Sequence, residues 1–178
     1  PEGTEIGLRK NLALLAQVST RVELDEAKFL KDLEADGLDK IGIVGDDVFF
    51  NGRFIGTVKN LKDFVKRIRE KRRAGELPIQ LNVREDHDFQ TILISTEPGR
   101  VLRPLIIIEN GASKLKSEHL VTLEQKEMKW NDLIKQGIIE YLDAAEEENA
   151  LVALYEEEIT EKHTHLEIDV VDLMGVVT

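Results

Sequence analysis

The chain has no cysteine among its 178 residues. That excludes a disulfide framework and any thiolate metal site, and it fits a reducing, cytoplasmic setting. No apolar run approaches the roughly 20 residues that a membrane-spanning helix needs. A nucleophile elbow, a phosphate loop and a dinucleotide fingerprint are all missing. The opening "PEGTEIG" has two glycines but no Lys-Ser/Thr after them, so it does not cradle a phosphate in that way. No internal repeat or low-complexity tract interrupts the chain. What is present is a 42% hydrophobic content, enough for a packed core in one ordinary domain or two small ones. The chain begins at Pro1 and stops after the apolar "LMGVV", which leads us to expect a piece of a longer polypeptide.

Charge is plentiful and uneven. The formal net charge is −11, yet Lys59 to Arg73 holds eight cations against two anions, while the other residues hold 16 cations and 33 anions. An acidic chain of this kind repels nucleic acid at long range. Contact with DNA or RNA must then be local or belong to a larger assembly.

Local patterns predict an α+β fold. "DEAKFLKDLEADG" reads as a helix, with Asp25 as N-cap, Phe29, Leu30 and Leu33 as its apolar stripe, and Gly37 at its end. In "DDVFFNGRFIGTV", Asn51-Gly52 between two β-prone runs predicts a type I′ hairpin, because both residues tolerate positive φ. A basic helix follows at once, capped by Asn60 and stopped by Gly75 and Pro78. Leu61, Phe64, Val65 and Ile68 recur at i, i+3, i+4 and i+7 and form one apolar face. Three strands are expected next, "IQLNVRE", "FQTILIST" and "RVLRPLIIIEN", as a meander, with Pro104 at a strand edge or bulge. "NGASKLKS" reads as a linker to a smaller mixed α/β unit. That unit has two helices, a strand "IIEYLDA", a charged turn "AEEENA" and a strand "LVALYEEE". The architecture expected is therefore two small units, a hairpin–helix–three-strand meander and a smaller mixed one.

Few residues suggest chemistry. His163 and His165 alternate, so on a strand they share a face, and Glu167 extends the set toward a carboxylate–imidazole metal site. An ordinary polar strand face explains the same pattern. The runs Glu146–Glu148 and Glu156–Glu158 carry enough carboxylates for magnesium, but consecutive residues point in different directions, and a solvated face is the expectation. On an idealised wheel, Lys59, Lys62, Lys66, Arg69 and Arg73 fall at roughly 80° to 160° from Leu61, beside the apolar face. Five cations on one flank form a ridge that suits phosphates or an acidic partner, or simply a solvent face whose long side chains cover the helix edge.

Several motifs in order resemble the second-largest subunit of multisubunit RNA polymerase, with the archaeal form the better match. Pro1-Glu2-Gly3, Gly7-Leu8 and Lys10-Asn11-Leu12-Ala13-Leu14 resemble its P-E-G-x-x-x-G-L-x-K-N-L-A-L segment. "VFFNGRFIGTV" resembles its V-F-x-N-G-x-x-x-G hairpin. "TEPGRVLRPLIIIE" resembles its T-x-x-G-R-x-x-R-P-L strand, with Gly99, Arg100, Arg103 and Pro104 in matching places. "GIIEYLDAAEEENALVAL" is similar to its acidic G-x-x-E-Y-[LI]-D-A-E-E-E block, and "HTHLEID" to its T-H-x-E-I segment. Ala145 stands where Glu is frequent, Arg9 where an apolar residue is common, and Val170 where Pro commonly follows.

The resemblance implies a division of labour. Residues 1–22 would be the end of the fork region, 23–112 external region 1, 113–163 external region 2, and 164–178 the start of the hybrid-binding region. Glu2, Gly3, Gly7, Arg9 and Lys10 would lie near RNA and the active centre, the glycines allowing close backbone approach and the cations reaching phosphates. The catalytic magnesium would be held chiefly by the largest subunit, so no catalytic residue, metal ligand or cofactor is expected here. Partners would be the other polymerase subunits, template DNA, nascent RNA and transcription factors, with no membrane. Lys59, Lys62, Lys66, Arg69 and Arg73 would be the contact if the basic helix instead serves as a docking module for an acidic transcription factor or nucleic acid.

Overall fold

The computed structural model describes residues 12–42 and 44–168. The Glu2–Lys10 neighbourhood and Val170 lie outside the described residues. In chain order the elements are β1 (Gln17–Val18), α1 (Glu26–Ala35), β2 (Asp46–Phe50), β3 (Arg53–Val58), α2 (Leu61–Arg73), β4 (Asn82–Asp86) and β5 (Thr91–Ser95). They continue with β6 (Val101–Glu109), β7 (Ala112–Ser113), α3 (Ser117–Glu124), α4 (Trp130–Lys135), β8 (Ile139–Asp143), α5 (Ala144–Glu147), β9 (Val152–Ala153) and β10 (His165–Leu166). The fold is α+β and divides into two compact units, each discontinuous in sequence.

The first unit comprises Ser19–Arg100 with Asp143–Asn149. Its sheet runs β3-β2-β5-β4, with β2 parallel to β5 and the other pairs antiparallel. Asn51 (φ 48°) and Gly52 (φ 76°) form the two-residue turn between β2 and β3, as the primed-turn signature requires. Asn51 also anchors the turn. Its side-chain nitrogen donates to Thr96 Oγ1 (3.0 Å) and its Oδ1 accepts from the Thr96 N–H (2.8 Å). The hairpin carries a bulge, since Val48 pairs with Gly56 but Phe49 with Phe54. Gly56 sits there at φ 148°, and a Cβ on it would stand 2.5 Å from the Asp39 carbonyl oxygen. The backbone of Asp39 bridges to Thr57 at that point.

Helices α1 and α2 start as their caps predict. Asp25 Oδ1 accepts from the Lys28 N–H (3.1 Å), and Asn60 Oδ1 from the Asp63 N–H (3.2 Å). Phe64, Val65 and Ile68 of α2 are fully buried against Val48, Phe50, Val83, Ile92 and Ile94 of the sheet and Phe29 and Leu33 of α1. The rings of Phe29 and Phe50 meet at 5.2 Å.

The expected meander ends one strand early. β4 and β5 pair as a hairpin, but β6 enters the other unit's sheet. The physical reason is visible in the burial patterns. Leu105–Ile108 is an uninterrupted apolar run that needs cover on both faces, and all four residues are buried. β5 alternates and suits a sheet with one buried face.

Among the described residues, the second unit comprises 12–18, 101–142 and 150–168. β6 is its central strand, paired antiparallel with β1, β10 and β7 and also with β8, while β9 runs parallel to β10. Ile106, Ile108, Leu133, Ile138, Ile139, Ala153 and Leu166 form its core. Pro104 falls between the stretch paired with β1 and the stretch paired with β10. Asn110-Gly111, expected in a linker, is a tight hairpin turn joining β6 to β7, again with both residues at positive φ. The expected strand over "LVALYEEE" shrinks to the two residues of β9, and Glu156–Glu158 form a 3-10 turn of exposed carboxylates. The charged turn "AEEENA", expected in this unit, overlaps the short helix α5 and belongs mostly to the first unit, which takes Asp143–Asn149.

Candidate functional site

The densest polar constellation lies in the first unit and centres on Glu146. Asp143 caps α5, its Oδ1 accepting from the Glu146 N–H at 2.8 Å. The cap points the Glu146 side chain inward, where it is only 2% exposed. Arg72, at the C-terminal end of α2 and 3% exposed, grips it with both ends of its fork: Nη1 to Oε2 at 2.7 Å and Nη2 to Oε1 at 2.9 Å. Asn82 Nδ2 (2.6 Å) and the Val83 N–H (3.0 Å) donate to Oε2, and Arg69 Nε to Oε1 at 3.3 Å. One carboxylate thus accepts from four residues.

Two further ion pairs surround this hub. Arg69 Nη1 reaches Glu85 (3.1 Å), and Arg100 Nη1 reaches Asp143 Oδ2 (2.8 Å) and Asn82 Oδ1 (2.8 Å). Three guanidiniums therefore face three carboxylates, a balance that makes burial of the charges tolerable. The Asn149 side chain completes the set. It accepts from the Glu85 N–H (2.7 Å) and donates to the Glu85 carbonyl (2.8 Å), copying a strand partner along the edge of β4. The acidic block at 143–149 is thereby a clip holding α2, β4 and the Arg100 loop together.

Each of the three carboxylates of the clip accepts from a guanidinium, a group that only donates. Among the described residues there is no group of three or more His, Asp or Glu side chains placed to hold a metal ion.

The second unit contains two comparable pairs. Arg103 Nη1 pairs with buried Glu167, and His165 Nε2 lies 2.8 Å from a Glu140 carboxylate oxygen. His165 is buried, and its Nδ1 meets the Thr164 hydroxyl at 2.9 Å. The His163 Nδ1 accepts from the Thr160 N–H at 3.0 Å. His163, His165 and Glu167 thus have separate partners and do not converge. Among the described residues three pairs join motif residues: Arg100 with Asp143, Arg103 with Glu167, and Glu140 with His165.

The five cations of the expected ridge divide. Lys59, Lys62 and Lys66 are exposed, and Lys66 lies 3.8 Å from Glu70. Arg69 instead belongs to the buried clip, and Arg73 is half-buried. The expected solvated face at Glu146–Glu148 is corrected at Glu146, which the short helix turns into the unit. Sequence reasoning overlooked Arg72 although a signal existed. On the same wheel it falls at about 20°, inside the apolar face. A cation there demands a buried acid.

Two mixed α/β units, each braced by arginine–carboxylate pairs, define the class of this protein as a structural α+β module. Residues 48–109 match the family model of RNA polymerase Rpb2, domain 4, and residues 130–169 that of RNA polymerase Rpb2, domain 5. The chain belongs to the family of second-largest RNA polymerase subunits. It is 38% identical over 194 residues to the DNA-directed RNA polymerase subunit Rpo2 of Sulfolobus acidocaldarius, covering 99% of this chain and 17% of that protein. The corresponding subunit of Saccharolobus solfataricus is 39% identical over 196 residues, with the same coverage. The DNA-directed RNA polymerase III subunit RPC2 of Schizosaccharomyces pombe is 34% identical over 186 residues, covering 99% of this chain and 16% of that protein. The chain thus spans about a sixth of the length of these relatives. No helix among the described residues is long and apolar enough to cross a membrane.

Proposed function

We propose that this chain acts in transcription as a structural part of the second-largest, archaeal-type subunit of a cytoplasmic DNA-directed RNA polymerase. It scaffolds the active-centre cleft and the outer face and carries no catalysis of its own. The observation that carries this reading is similarity to polymerase subunits along 99% of the chain. The geometry supports it, because the acids of the clip are tied to arginines. Under this reading residues 1–22 end the fork region, 23–112 and 113–163 form the two external regions, and 164–178 open the hybrid-binding region. Glu2, Gly3, Gly7, Arg9 and Lys10 then approach RNA, the catalytic magnesium belongs to the largest subunit, and the partners are the other subunits, template DNA and nascent RNA.

The test is co-assembly. The whole subunit with this segment should join the other polymerase subunits into an active enzyme, while the chain alone with template, primer, nucleotides and magnesium incorporates nothing. Synthesis by the chain alone would refute the reading. A second reading, docking of an acidic transcription factor, rests on the exposed Lys59, Lys62 and Lys66. It is the narrower one, since Arg69 is committed elsewhere.

A further inference from the structure

The sequence contains two Asn-Gly pairs, Asn51-Gly52 and Asn110-Gly111, and both form two-residue hairpin turns at positive φ. They differ in how the asparagine amide is held. Asn51 is tied by three bonds: its N–H to the Ile94 carbonyl (2.9 Å), its Nδ2 to Thr96 Oγ1 (3.0 Å), and its Oδ1 from the Thr96 N–H (2.8 Å). Its flanking strands, β2 and β3, have five and six residues. Asn110 is exposed, and among the described residues no hydrogen bond holds its amide. It joins the end of the nine-residue strand β6 to β7, which has only two residues.

We propose that Asn110-Gly111 is the site of spontaneous deamidation in this protein, and that Asn51-Gly52 is protected by its clamp to Thr96. Glycine without a side chain leaves its backbone nitrogen open to attack a neighbouring carbonyl carbon. The Gly111 nitrogen bonds to the side-chain carbonyl carbon of Asn110, and the amide nitrogen departs as ammonia, taking the Gly111 amide proton. The cyclic imide so formed adds one water across either of its C–N bonds. One opening leaves an ordinary aspartate at this position, the other an isoaspartyl linkage that routes the main chain through the side chain. The folded turn must open before the attacking nitrogen can reach its target. A two-residue partner strand opens more readily than the β2–β3 ladder. Either product puts a new carboxylate beside Glu109, in a turn where a Cβ on Gly111 would stand 3.6 Å from the Glu161 side chain. The isoaspartyl product also lengthens the main chain inside a turn that sets the β6–β7 register.

The experiment ages the full chain at mildly alkaline pH in native buffer and, in parallel, in concentrated denaturant. Peptide mass mapping and isoaspartate detection then follow conversion at each asparagine. In native buffer Asn110 should convert several-fold faster than Asn51, and in denaturant the two rates should converge, since both are Asn-Gly. Thr96→Val should raise the native rate at Asn51 and leave that at Asn110 unchanged. Equal native rates, or Asn51 converting first, would overturn the proposal. So would a native preference that persists unchanged in denaturant.

Discussion

Replacing Glu146 by Gln keeps the side chain's shape and removes its charge from between Arg69 and Arg72. In the native unit that carboxylate accepts from Arg72 twice and from Arg69, Asn82 and Val83 once each. The amide can still accept through one oxygen, but its NH2 group now faces donors. Arg72, 3% exposed, loses the carboxylate charge that both ends of its fork grip. Breaking one partner of such a pair costs about 3–5 kcal/mol, a large share of the roughly 5–15 kcal/mol that stabilises an ordinary domain. Urea unfolding of wild type and Glu146→Gln, followed by circular dichroism and analysed with unchanged slope, measures this directly. Arg72→Met should cost a similar amount. The double variant Arg72→Met/Glu146→Met should recover much of the loss, because it buries no unpaired charge. A Glu146→Gln loss under about 1 kcal/mol would place that carboxylate in the class of solvent-screened surface pairs and refute the clip.

Gly56→Ala should destabilise by about 1–3 kcal/mol, since φ 148° is open only to glycine and the new methyl would collide with the Asp39 carbonyl; an unchanged thermal midpoint would contradict the bulge geometry. Arg103→Met should lower stability on the scale of about 3–5 kcal/mol by stranding buried Glu167, with a double-mutant cycle against Glu167→Gln reporting the coupling. Lys62→Glu/Lys66→Glu should leave unfolding within about 0.5 kcal/mol, because both side chains are exposed. In the assembled polymerase the same pair should weaken binding of an acidic factor and reduce its salt dependence if the docking reading holds.

Much of the first unit was legible from local pattern. The cap at Asp25, the Asn51-Gly52 turn and the stripe Leu61–Phe64–Val65–Ile68 each report a conformation that neighbouring residues decide among themselves. The family resemblance was also legible, carried by ordered motifs whose residues prove to pair with one another. The clip was not. Glu146 lies 74 residues from Arg72 and within a run of glutamates, where adjacent positions look alike. Which glutamate turns inward depends on the start of a four-residue helix set by Asp143.

The sequence by itself determined helices α1 and α2, the Asn51-Gly52 turn, the apolar face of α2 and the family, because these depend on spacing within a few residues or on the order of motifs. Only the tertiary structure decided where β6 goes, which arginines leave the basic helix for the interior, and which of two identical Asn-Gly turns is chemically guarded. Those outcomes depend on partners far apart in the chain. The free energy of burying β6 on both faces, or of pairing Arg72 with Glu146, exists only once distant segments meet.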